Sequence, residues 1–122
     1  YSGAYDEAIR HIELAMQFQP LHPPFFRNVL AASYLAKGLN IRALETAQQV
    51  LEIAPKDLIA RVIITSAYVR DENIDAARKV AAEIREIAPN FLVKKFLQNQ
   101  YYRDRNFLSE LSANLQAAGL PD

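Results

Sequence analysis

The amino-acid sequence predicts an all-α fold of about seven helices, stacked as antiparallel pairs in a repeat array. Three observations carry this. Pro20, Pro55 and Pro89 fall at nearly equal intervals, and each closes an amphipathic stretch. Ala8, Ala43 and Ala77 each lie twelve residues before one of these prolines. Tyr34 and Tyr68 lie nine residues before the last two alanines, and Gly3 and Gly38 keep the same phase. A period of this length marks a solenoid, in which each unit buries its apolar face against the next.

Each helix has its own signals. Ala8, Ile9, Ile12, Ala15 and Met16 have helical spacing, so the first runs from about Tyr5 to Phe18 and ends before Pro20. Pro24 suits the first turn of the second helix, where its missing N–H costs nothing. That helix reaches about Lys37, with Gly38 as a left-handed cap. Asn40 is placed as the cap of a third, ending at Ile53 before Pro55. Asp57 caps the fourth, to about Arg70, and Asn73 caps the fifth, to Ile87. The sixth is expected from Asn90 to about Tyr102. The last spans about Asp104 to Ala118, closed by Gly119 and Pro121.

Composition narrows the function classes. The chain has 122 residues, 51% hydrophobic and 23% charged, which suits one globular domain. Fourteen basic residues balance fourteen acidic ones, so no overall field draws a polyanion or an anionic membrane. The absence of cysteine excludes disulfides, thiolate chemistry and cysteine-ligated zinc, and fits a reducing cytoplasm. Apolar runs such as Val62-Ile63-Ile64 are too short to span a bilayer. The chain opens inside a repeat and reads as a piece of something longer.

No catalytic constellation is present. His11 lies on the polar side of the first helix and His22 in a proline-rich turn, and neither has the neighbours of a metal site. The glycines mark helix boundaries rather than a phosphate loop. Asp6–Arg10, Asp75–Lys79 and Lys79–Glu83 have the four-residue spacing of a solvated helix face. Lys94, Lys95, Arg103 and Arg105 interleave with Phe91, Phe96, Tyr101 and Tyr102. That pattern reads as the charged outer face of an amphipathic helix rather than a nucleic-acid platform. No cofactor, metal or nucleic acid is expected.

Leu30, Tyr34, Gly38, Ala43 and Pro55, then Ile64, Tyr68, Ala77 and Pro89, resemble the tetratricopeptide repeat. The resemblance covers residues 1–102 and implies a right-handed superhelix. Residues 1–22 form the second half of a truncated repeat, 23–56 and 57–90 complete ones. Residues 91–122 form a degenerate repeat with a final helix, in which Phe107, Leu108, Leu111 and Leu115 cap the array. Arg27 and Arg61 stand where the family often has tryptophan, and Ala31 and Thr65 replace its glycine. The Pro20–Phe26 turn, Pro89-Asn90-Phe91 and the tail from Leu115 to Asp122 are similar to the C-terminal repeat region of bacterial class III adenylate or guanylate cyclases. Related tails occur on some winged-helix regulators.

The resemblance implies a non-catalytic protein-interaction scaffold whose first helices line a concave groove. Its positions here are Phe25, Asn28, Val29, Ala32 and Leu35, then Ile59, Val62, Ile63, Ser66 and Arg70, with Phe96, Gln100 and Arg103 from the sixth helix. Only Asn28 matches the family's carboxylate-binding pattern, so the expected ligand is an apolar peptide or helix. The groove is alternatively filled by the chain's own end or by a second copy. Homodimerisation is the competing function, because the first helix leaves Ile9, Ile12 and Met16 without a preceding partner.

Overall fold

In the computed structural model, residues 2–100 and 104–122 are described. Among them the fold is all helical: α1 (Ser2–Phe18), α2 (Pro24–Ala36), α3 (Asn40–Ile53), α4 (Leu58–Arg70), α5 (Ile74–Ile87), α6 (Val93–Gln98) and α7 (Arg105–Ala117). No described residue lies in a strand.

The turns obey the local chemistry of their residues. Pro23 is extended and places Pro24 at the head of α2. Asp57 caps α4 by accepting from the Ala60 N–H at 2.9 Å, and Asn73 caps α5 through Ala76 at 3.4 Å. Asp104 caps α7, its Oδ1 accepting from the N–H groups of Asn106 and Phe107 at 3.0 and 3.2 Å. Asn40 is not a cap. Leu39 holds that position, and Asn40, the first helical residue, donates its amide to Asp71 at 3.3 Å. The sixth helix is shorter than its sequence suggests. Phe91 N–H closes a turn onto the Ala88 carbonyl and Leu92 is extended, so helix starts only at Val93.

The pair α4 and α5 reproduces the geometry of α2 and α3. Ala54 and Ala88 leave α3 and α5 with nearly one backbone conformation, φ −127° and −132°, ψ 82° and 83°. Each precedes a proline, which disfavours continuing the helix. Arg27 Nε donates to Gln49 at 3.0 Å, and Arg61 Nε donates to Glu83 at 3.1 Å. These bonds tie the start of α2 to the end of α3, and the start of α4 to the end of α5, so both pairs are antiparallel. Ala43, Ala47, Ala77 and Ala81 are at most 2% exposed and let the paired helices approach closely.

α1 to α4 each pack against the next helix in the chain, and α2 also touches α4. One core runs through them and α5, with Leu35, Val50, Ile64 and Ile84 among its buried members. The equivalence ends at α6, and α7 packs on α4 and α6. Phe107, Leu111 and Leu115, at four-residue spacing, are the buried stripe of α7. Its end is fixed twice. Gly119, at φ 100°, allows the Leu120 N–H to reach the Leu115 carbonyl, and Pro121 accepts from the Val93 N–H at 2.8 Å.

The surface charges also differ from simple helix spacing. Asp6, spaced for Arg10, pairs instead with Lys37 beside α2. His22 is not a free surface group: its Nδ1 bonds the Gln19 carbonyl, Nε2 takes Arg27, and its ring stacks on Phe26.

Candidate functional site

The residues expected to line a groove lie mainly on α2 and α4. Along α4, Ile59, Val62, Ile63, Ser66 and Arg70 recur at three- and four-residue steps, which places them on one stripe. Phe25, Asn28, Ala32 and Leu35 form the matching stripe of α2. Both stripes were legible in the sequence. Cover by the chain's own end was one of the alternatives the sequence offered; the particular contacts were not legible.

α7 lies across the α4 part. Asn114 Nδ2 donates to Ser66 Oγ at 2.9 Å, and Glu110 pairs with Arg70. Val62 and Ile63, expected as open anchors of a groove, are each 2% exposed, and Ser66 is 1% exposed. Leu35 is also fully buried, and its carbonyl accepts from the Arg70 guanidinium. Burial pulls the Arg70 pKa below its ordinary value. Glu110 and the Leu35 carbonyl offset that loss of hydration. Arg70 is therefore a fixture between helices, rather than the polar margin of an open groove.

The α2 part borders a cavity: Phe25 is 53% exposed, whereas Asn28, Ala32 and Leu35 are at most 4% exposed. Phe25, Asn28, Ala32, Ile59 and Gln100 line a cavity of about 740 Å³, with Tyr5 and Ala8 of α1 and Phe107 of α7 opposite. Tyr5 holds the two walls together. Its hydroxyl donates to Asp104 Oδ2 at 2.8 Å, and its ring meets Phe107 edge-on at 6.4 Å. Burial, followed by that bond, pushes the Tyr5 pKa up to about 12. The same bond, helped by the Phe107 and Asn106 N–H groups, holds the Asp104 carboxyl below its usual value.

Asn28 is 4% exposed and sits on this wall. Its Nδ2 donates to both carboxylate oxygens of Asp57, at 3.2 and 3.3 Å. Its Oδ1 is buried and has no partner. Phe96, expected in the groove, instead sets its ring 5.3 Å from that of buried Phe91. Those two rings are thus taken up in packing. Arg103, with Tyr101 and Tyr102, lies outside the described residues.

Sequence reasoning missed the contribution of Tyr5, Asp104 and Phe107. Tyr5 is 99 positions from the carboxylate it holds, a separation at which no local pattern exists. Among the described residues no group of three or more His, Cys, Asp or Glu is placed to hold a metal, and no helix is long and apolar enough to cross a membrane. No family model matches the chain, and no curated protein matches it.

Proposed function

We propose that the chain is a non-catalytic protein-interaction module of the tetratricopeptide kind, a right-handed array of helix pairs whose inner face takes an amphipathic helix or apolar peptide. The supporting observation is the seating of α7 on α4. An apolar stripe, Phe107, Leu111 and Leu115, is buried there, while Asn114 and Glu110 meet Ser66 and Arg70. Helix-in-groove recognition uses the same elements, apolar anchors at helical spacing with polar groups that set register. The α2 half carries the same kind of apolar stripe and borders a cavity between α1, α2, α4 and α7. The reading includes a cytoplasmic setting and a place in a larger bacterial signalling protein, such as a nucleotide cyclase.

The test is recovery of a partner from the source cell, followed by titration against variants. Phe25→Asp, at the cavity rim, should weaken binding more than about tenfold. Arg78→Ala, on the exposed face of α5, should leave it unchanged. Normal binding by Phe25→Asp with loss in Arg78→Ala would place the working surface on the outer face.

A second reading is self-association. Ile9, Ile12 and Met16, expected as the unpartnered face of α1, pack instead against the core, but Leu14, Phe18 and Leu21 on α1 and its following turn are 53, 78 and 100% exposed. Light scattering on the wild type and on Leu14→Glu/Phe18→Glu tests it. A dimer that becomes monomeric in the variant supports this reading, and a monomeric wild type rejects it.

A further inference from the structure

We propose that the cavity between α1, α2, α4 and the start of α7 binds a neutral apolar group of aromatic size carrying one N–H or O–H donor, which bonds Asn28 Oδ1. The volume of about 740 Å³ falls within the range of small-molecule and side-chain sites. Ala8, Phe25, Val29, Ala32, Ile59 and Phe107 give it apolar walls.

Chemistry fixes the orientation of the Asn28 amide. Its partner Asp57 has one carboxylate oxygen already accepting from the Ala60 N–H at the head of α4, so it meets Asn28 as an acceptor. Only the NH₂ end of Asn28 can face such a group, and the opposite flip would set oxygen against oxygen. The carbonyl end is therefore a buried acceptor without a partner, on a residue that lines the cavity. Burying an unmet acceptor is unfavourable, and a ligand donor relieves it.

Two acceptors on the same wall disfavour anions. The Asp104 carboxylate lines it and already accepts the Tyr5 hydroxyl and two backbone N–H groups. A ligand carboxylate or phosphate would meet acceptors at Asn28 Oδ1 and Asp104. A neutral ring with an N–H, such as an indole, avoids that repulsion and lies against the apolar side chains of the lining.

This deepens the interaction reading and rests on it only for the source of the group, a partner's side chain or a free aromatic molecule. The test uses the full chain, labelled with ¹⁵N, and two isomeric probes. 3-Methylindole keeps its N–H and 1-methylindole lacks it, while size and hydrophobicity are matched. 3-Methylindole should bind about tenfold more tightly and shift the Asn28 side-chain amide with the Val29 and Ile59 backbone amides. Asn28→Leu should erase the difference between isomers. Val29→Trp leaves the Asn28–Asp57 pair in place and narrows the cavity from its wall, so it should weaken both probes even where Asn28→Leu fails to fold. Equal binding of the isomers by the wild type, no binding of either, or binding untouched by Val29→Trp overturns the proposal. N-acetyltryptophan methylamide then tests the source. Tighter binding than 3-methylindole supports a peptide side chain. Weaker binding overturns that source, while the inner-face reading still stands or falls on the partner titration.

Discussion

Glu72 stands one repeat after Gly38 and adopts the same left-handed backbone, φ 61° against 85°. Both end a helix in the same way. The Gly38 N–H reaches the Leu35 carbonyl and the Leu39 N–H that of Tyr34; Glu72 and Asn73 repeat this on Val69 and Tyr68. A side chain in this region meets its own backbone, which glycine avoids. Glu72→Gly should therefore stabilise the fold by about 0.5–1 kcal/mol, and Gly38→Ala should destabilise it by about 1 kcal/mol. Urea melts of the two variants check the pair.

Ala77 is 0% exposed between α4 and α5, in the register where Ala43 is 0% exposed between α2 and α3. Ala77→Leu forces three more carbons into a filled contact and should destabilise by about 1–3 kcal/mol. Ala76 neighbours it on α5 but is only half-buried, so Ala76→Leu should be tolerated better. Thermal melts showing no loss for Ala77→Leu would mean the register is wrong.

Val62 marks the difference between an open groove and a covered one. At 2% exposure, Val62→Asp places a carboxylate where no cation waits for it. The expected loss exceeds about 4 kcal/mol, and cooperative unfolding should disappear. A folded Val62→Asp protein would show that α7 leaves this stripe.

The Tyr5–Asp104 bond makes stability fall at both ends of the pH range. Asp104 has a depressed pKa in the fold. Its contribution is present above the unfolded value of about 4 and is lost as pH falls through the lower folded value. Tyr5 has a raised pKa, about 12. Its contribution is full below about 10 and is lost as pH rises from there towards the folded value. Asp104→Asn should flatten the acid limb and Tyr5→Phe the alkaline limb. Melting temperatures across both ranges measure this.

Much of the helix layout was legible because it is local. Proline removes a donor and glycine tolerates positive φ, so Pro20, Pro55, Pro89, Gly38 and Gly119 mark ends wherever they fall. Asp57 and Asp104 cap for reasons confined to one turn. Asn40 misled because Asn suits a cap in general, whereas here its amide is drawn to Asp71 at the end of α4. The Arg27–Gln49 and Arg61–Glu83 bonds carried a readable signal, since the arginine recurs one repeat later and a side chain with an acceptor oxygen, Gln then Glu, stands at the partner position each time. The stripes of α2 and α4 were readable from spacing. Cover by the chain's own end stood as one alternative, but its contacts were not readable, because Ser66 and Asn114 are 48 positions apart.

α7 lies on the Ser66 face of α4, and a cavity remains beside Phe25 and Asn28 of α2. The most direct measurement is a NOESY experiment on the labelled chain. Cross-peaks should link the Asn114 side-chain amide to the Ser66 β-protons, and the Phe107 ring to the Tyr5 ring. Cross-peaks from α7 to α5 with none to Ser66 or Tyr5 would contradict the account.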